Sequence, residues 1–238
     1  MRHIDIAEVF VLACVMMNSI FILNSVDDLW NTRNGVISKV PKIIKQRVCV
    51  LVTGGNASGL LSSLATSIYG DHSYSYGVFT VDYLPPRKWF EHSFPVDTMM
   101  HSVSSKDSLL FAAGVKGCSF FFIVNNHVRF GGVGWANLLI GALRGLNPPF
   151  IGAAMGCSDC IFIPRVHLQI FHQTYHFPPK TCWVQWIWSV YGKCRVVIKN
   201  VVSNPRTACA DNNHRVNVSS GRLRVSKFLL SLGSPRCS

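Results

Sequence analysis

Carboxylates are scarce in this chain. Its 238 residues hold 11 Asp and Glu against 23 Lys and Arg, a formal charge of +12. Such an imbalance favours anionic partners: nucleotides, phosphates, nucleic acid or an acidic membrane surface. The bases are scattered rather than blocked, and no RNA-binding or helix-turn-helix signature accompanies them, so nucleic acid is not the expected partner. Also absent are the G-x-G-x-x-G spacing of dinucleotide folds and the Gly-Lys-Ser/Thr of a P-loop, which sets aside those two phosphate-binding devices. No internal repeat or low-complexity tract is present. Nine cysteines follow no regular framework, and Cys14, Cys49, Cys118 and Cys194 sit in or beside apolar runs, where they read as small core residues. Disulfides among Cys157, Cys160, Cys182, Cys209 and Cys237 fit a lumenal chain, with a connectivity that spacing does not fix.

What is present is apolar surface. A 49% hydrophobic composition at this length supports one large α/β core or two small ones. The N-terminal run Val9–Met17 continues through Asn18-Ser19 into Ile20–Leu23. It is somewhat short against the roughly 20 apolar residues of a spanning helix. A membrane anchor is the leading expectation, with a signal peptide and a buried helix as alternatives; no small-x-small cleavage site follows. Residues 1–46 are thus expected to be anchor and stem, 47–203 a globular α/β domain, and 204–238 a flexible basic tail. The anchor would place the protein at a Golgi or ER membrane. Arg33, Lys39 and Lys42 downstream would instead hold the body on the cytoplasmic side, and without an anchor the protein is cytoplasmic.

The pattern from residue 47 alternates strand and helix. Arg47–Thr53 is a continuous apolar run, as a strand buried on both faces should be. Gly54-Gly55-Asn56-Ala57-Ser58-Gly59 turns the chain into a helix carrying Leu60, Leu61, Leu64 and Ile68, which Gly70 stops. Gly77–Asp82 is the next strand. Ser105 caps a helix that ends at Gly117. Cys118–Val124 is a phenylalanine-rich central strand, Trp135–Leu143 an apolar helix, Phe150–Ala154 a short strand and Arg195–Val202 a late one.

The central strand runs into Asn125-Asn126-His127-Val128-Arg129, a polar cluster at a carboxyl strand end, where α/β enzymes present their chemistry. The turn Gly54-Gly55-Asn56-Ala57-Ser58-Gly59 offers free amides to an anion, and Asp82 closes the second strand, where a carboxylate can accept hydrogen bonds from a base or ribose. For both, a plain connecting turn is the alternative. Asn56-Ala57-Ser58 and Asn217-Val218-Ser219 are formal glycosylation sequons. Cys157-Ser158-Asp159-Cys160 with His167, His172 and His176 supplies half of a zinc site, and a loop disulfide is the simpler reading. Trp183, Trp186, Trp188 and Tyr191 can stack on a sugar ring or form the core face of a helix.

Taken in order, these elements resemble the nucleotide-sugar-binding half of GT-A-fold glycosyltransferases, and within them a glycosyltransferase-like family with a nucleotide-sugar transferase-like domain. The resemblance spans roughly residues 47–200. It rests on Val124-Asn125-Asn126-His127 where the family has Val-Asn-Asp-Asp, Asn147-Pro148-Pro149 as its Asn-Pro-Pro turn, and His167–Phe171 as its His-Leu-Asp-Ile-Phe. Thr174-Tyr175 with Pro178-Pro179, and Trp186-Ile187 with Val190-Tyr191-Gly192, continue the match. It implies a three-layer αβα sandwich with a mixed sheet. Thr53, Gly54 and Asp82 would contact the nucleotide, and Asn125, Asn126 and Arg129 the diphosphate. A nucleotide sugar and a glycan or other hydroxyl acceptor would be the partners, with membrane association as a further one.

The same resemblance implies a manganese or magnesium ion, yet the acidic pairs are missing. Asn126 and His127 replace the first, and Val184 and Gln185 the second. Hard cations prefer anionic oxygens, so His127 is at best a weak metal ligand, and neither Val nor Gln can act as a base. Asp159 and His167 are substitute bases if the fold brings them in. A catalytically impaired glycosyltransferase-like protein is expected. A non-catalytic pseudoenzyme or scaffold on the same fold, or a basic anion-binding protein, are the alternatives.

Overall fold

The computed structural model describes residues 45–157, 160–171, 183–199, 201–203 and 218–233. The expected anchor and stem lie outside these residues, apart from Lys45 and Gln46. Among the described residues no helix is long and apolar enough to cross a membrane.

The described residues form nine strands and seven helices in the order β1 (Arg47–Val52), α1 (Ser58–Ile68), β2 (Ser75–Val81), α2 (Arg87–Ser93), β3 (Met99–Val103), α3 (Lys106–Val115), β4 (Phe120–Val124), β5 (Arg129–Phe130), α4 (Trp135–Arg144), β6 (Ala153–Cys157), β7 (Cys160–Pro164), α5 (Val166–Phe171), α6 (Trp183–Tyr191), β8 (Arg195–Val197), β9 (Val202–Ser203) and α7 (Ser219–Ser231). Seven strands form one sheet in the order β3-β2-β1-β4-β7-β6-β8, and β5 and β9 form a separate pair. The first four strands of that order are mutually parallel, β7 is antiparallel to both of its neighbours, and β6 and β8 are parallel. The fold is α/β with a mixed sheet, as expected.

Strand periodicity sorts side chains to the two faces. Val48, Val50 and Val52 of β1 join Phe120, Phe122 and Val124 of β4 in a core under α1 and α4. Cys49 and Leu51 join Phe121 and Ile123 in a second core under α3, α5, α6 and α7. The sheet is therefore covered on both sides, which is why its central strands read as unbroken apolar runs. Helix α3 begins where the sequence placed it, with Ser105 accepting from the Ser108 amide at 3.3 Å.

Two expectations are corrected here. The basic tail is not structureless throughout: Ser219–Ser231 is a helix, and Gly221, Val225 and Leu229, spaced four apart on one face, are buried. The α/β domain thus gains an element beyond residue 203. Cys49 and Cys118 are more than small core residues, because they form a disulfide between β1 and the entry to β4; Cys194 is disulfide-bonded too. Strands β3 and β7 and helix α2 were not legible in the sequence.

Cys157 and Cys160 form a second disulfide, which realises the simpler reading of this C-x-x-C and removes its thiols from zinc coordination. The two bridges differ in loop length, with sequence separations of 69 and 3. In the chain-entropy account a bridge closing the longer loop stabilises by about 4 kcal/mol and the shorter one by roughly half of that or less. Cys49, Cys118 and Cys160 are fully buried, whereas Cys157 is half-buried. Under mild reductant, mass-resolved alkylation is expected to label the Cys157–Cys160 pair first, at Cys157. Cys49 and Cys118 should label only as the protein unfolds; equal rates at both pairs would contradict this packing.

Candidate functional site

Strands β3, β2, β1 and β4 all point their carboxyl ends to one edge of the sheet. From β1 the chain passes through α1 to β2 on one side, while β4 lies on the other side of β1. The crossovers run in opposite directions, so right-handedness puts α1 and α3 on opposite faces. Open α/β sheets bind ligands outside the carboxyl strand ends, at the switch point where the strand order reverses. Here it lies between the tips of β1 and β4.

Of the residues singled out from the sequence, Thr53, Gly54, Asn125, Asn126 and Arg129 meet at that place. The Thr53 amide donates to Val124 O at 2.9 Å, and its hydroxyl donates to the same oxygen at 3.2 Å, closing the seam between the two strands. Beyond it the chain turns through Gly54 and Gly55. Asn56 Oδ1 accepts from the Ser58 amide at 3.1 Å, a local bond that starts α1. On the β4 side, Val128 N donates to Asn125 O at 3.1 Å, folding the polar cluster back on itself. Asn126 Nδ2 then reaches across to Asn56 O at 3.1 Å.

Two glycines make this closeness feasible. A Cβ on Gly54 would stand 2.5 Å from Asn126 Cγ and Oδ1 and 2.9 Å from its Cβ, and a Cβ on Gly59 would meet the Arg129 guanidinium. Arg129 is held by its Nη1, which donates to Asn126 O at 3.2 Å and to Val128 O at 3.0 Å. Its backbone lies in β5, paired with Ser203 of β9, and the next amide, Phe130 N, donates to Ser63 Oγ at 3.2 Å. The two turns are therefore one interlocked unit, 70 residues apart in sequence.

Asp82 stands at the same edge, one strand over. It is exposed, its φ is 48°, and its amide donates to Val103 O at 3.0 Å. Asp tolerates this left-handed turn conformation better than most residues. Its neighbour Tyr83 accepts through its carbonyl from the Thr80 hydroxyl. Asn125, Asn126 and His127 are half-buried. Asn56 and Gly59 lie in the turn expected to face an anion, while Ser63 and Ser203 complete the unit and were not foreseen as parts of it. The Asn-x-Ser pattern at Asn56 hints at a helix-starting turn, but nothing local links Gly59 to Arg129.

Other candidates fall away from this edge. His167 lies in the second core, wholly buried, with Nδ1 2.8 Å from Tyr191 Oη. Burial lowers its pKa to about 3 and raises that of Tyr191. It is a packing residue, not a substitute base. Val184 is buried and Gln185 exposed, a core side chain and a neutral amide where the resemblance would place the second acidic pair. Trp186 is buried in the same core, which favours the helix-face reading over a sugar platform, and Trp188 lies under the Arg195 guanidinium at 4.8 Å. The side chain of Trp183, and Asp159, His172, His176 and Asn217, lie outside the described residues. Among those described, no group of three His, Cys, Asp or Glu is placed to hold a metal ion. His127 therefore gains no partner ligand set there.

No protein-family profile matches the chain, and no curated protein sequence matches it. Among solved structures, a cytidylyltransferase from Leptospira borgpetersenii serovar Hardjo-bovis (strain JB197) is similar at 12% identity and a TM-score of 0.47, covering 65% of this chain and 75% of that one. The glycosyltransferase GlyE of Streptococcus pneumoniae TIGR4 is similar at 9% identity and a TM-score of 0.41, covering 65% of this chain and 45% of that one. At such identity and overlap, neither likeness says what this chain binds or does.

Two outcomes are expected. Gly54→Ala should destabilise the fold by about 1–3 kcal/mol through overpacking, and Asn126→Ala in the same chain should restore part of the loss. Additive effects in that double-mutant cycle would contradict the interlock. Burial keeps His167 neutral in the fold down to about pH 3, against an ordinary value of 6.5. Between those values the unfolded chain binds the extra proton, so stability rises with pH across the window and is lost as pH falls from 6.5 toward 3. Each unit of pH should cost about 1.4 kcal/mol in denaturant titrations. His167→Asn, which keeps a polar atom toward Tyr191, should flatten the slope; an unchanged slope would contradict the assignment.

Proposed function

We propose that this chain is a glycosyltransferase-like protein of GT-A type whose cleft takes a nucleotide sugar and whose transfer chemistry is impaired. The observation that carries the reading is the convergence of the β1 and β4 tips at the sheet's switch point, with Asp82 on the same edge. In this reading Thr53, Gly54 and Asp82 face the nucleotide, while Asn125, Asn126 and Arg129 face the diphosphate. The order of strands and helices, the Asn-Pro-Pro turn and the polar triplet after β4 support the GT-A assignment. The acceptor class is a glycan or another hydroxyl compound, and the disulfides fit an oxidising compartment better than the cytosol. Membrane association would come through residues 9–23.

A second reading, a pseudoenzyme that binds without turnover, is favoured by Val184 and Gln185. Transfer to a hydroxyl needs a group that takes its proton within hydrogen-bond reach, and those positions supply none.

Equilibrium binding of UDP- and GDP-linked sugars, together with release of nucleoside diphosphate in the presence of glycan acceptors, tests the proposal. Saturable binding is expected, weakened at least tenfold by Asp82→Ala with Asn125→Ala, with turnover low or at background. Background turnover favours the pseudoenzyme. Absence of binding to any nucleotide sugar, or equal salt-sensitive binding to every polyanion, would contradict the assignment of the cleft.

A further inference from the structure

We infer that this cleft binds a nucleoside diphosphate without a divalent cation, with the Arg129 guanidinium standing in for the metal's charge. The inference rests on the nucleotide-sugar reading of the site, and concerns how that site meets the phosphates.

The fold family implies manganese or magnesium beside the diphosphate, and the residues present do not fit either. Both ions favour anionic oxygen ligands. At the tip of β4 the positions that would supply them are Asn126 and His127. Asn126 is already committed: its Nδ2 donates to Asn56 O, and its Oδ1 packs against Gly54. Asp82 is separated from that tip by β1.

A fixed positive charge occupies the same place. Arg129 is anchored through Nη1 to two carbonyls of its own loop, and its Nη2 lies over Gly59 in the first turn of α1. The residue is exposed, and among the described residues it has no carboxylate partner. A guanidinium held this way keeps further N–H donors for phosphate oxygens, in a planar fork that suits them. It also disfavours a dication alongside, since like charges at such range repel. The exchange of an acidic pair for Asn-His, the arginine two positions further on and the missing Cβ at Gly59 then form one consistent set.

The test is calorimetric binding of UDP and GDP to the full chain, in EDTA and in manganese chloride, with wild type, Arg129→Gln, Arg129→Lys, Gly59→Ala and the double variant Asn126→Asp with His127→Asp. Wild-type affinity should agree within about threefold between EDTA and manganese, and Arg129→Gln should lose about tenfold or more in both. Arg129→Lys should recover only part, because it lacks the fork. Gly59→Ala keeps the charge but pushes the guanidinium from its seat, and should weaken binding with an unchanged thermal midpoint, since the flexible Arg129 tip can move aside. The Asp-Asp double variant should become manganese-dependent. Wild-type binding that collapses in EDTA overturns this inference and leaves the nucleotide-sugar reading standing. No binding in either buffer overturns both. Arg129→Gln binding like wild type, with its circular dichroism unchanged, overturns the role given to Arg129.

Discussion

Everything at the carboxyl edge depends on how closely the turn after β1 and the turn after β4 approach. The seam begins as an ordinary parallel ladder, with Val52 beside Val124. It continues past the strands only because Thr53 bonds back to Val124 and Asn126 reaches Asn56. Gly54 is the condition for that continuation, because a methyl group there would occupy space now filled by Asn126, while the missing Cβ at Gly59 leaves the seat of the Arg129 guanidinium. Hydrogen bonds of this kind are each worth only about 1 kcal/mol net. Their effect here is positional: they fix the Arg129 guanidinium and the side-chain amides of Asn56 and Asn126 at the tips of β1 and β4.

Much of this was legible in the sequence, for identifiable reasons. β1 and β4 are buried on both faces, and continuous apolar runs such as Val48–Val52 and Phe120–Val124 signal that directly. The polar cluster after β4 stood out because it interrupts the most apolar stretch of the domain. Elements on the periphery were harder. β3 is an edge strand carrying His101 and Ser102, and none of its residues is fully buried, so no pattern marks it. β7 is short and apolar, and nothing in Cys160–Pro164 announces that it runs against its neighbours. α7 reads as a tail in sequence because only three of its residues are buried against a largely polar sequence.

The missed contacts share another cause: they are non-local. Cys49 and Cys118 look alike in sequence whether they pack as thiols or join as a disulfide, since both states are small and apolar. Gly59 and Arg129 belong to different segments, and only the fold brings one against the other. His167 illustrates the converse. A histidine in a motif invites a catalytic role, yet its burial beside Phe171 and Tyr191 makes it part of the core that supports α5 and α6. The tip of β4, by contrast, carries Asn125, Asn126 and His127 and no carboxylate.

The most direct measurement of the central claim is amide hydrogen exchange along the chain, with and without a saturating nucleoside diphosphate such as UDP. If the two turns form one binding unit at the switch point, Thr53–Ser58 and Asn125–Phe130 should gain protection together, while α5, α6 and α7 on the opposite face stay unchanged. Protection confined to one turn, or appearing only on that opposite face, would contradict the account.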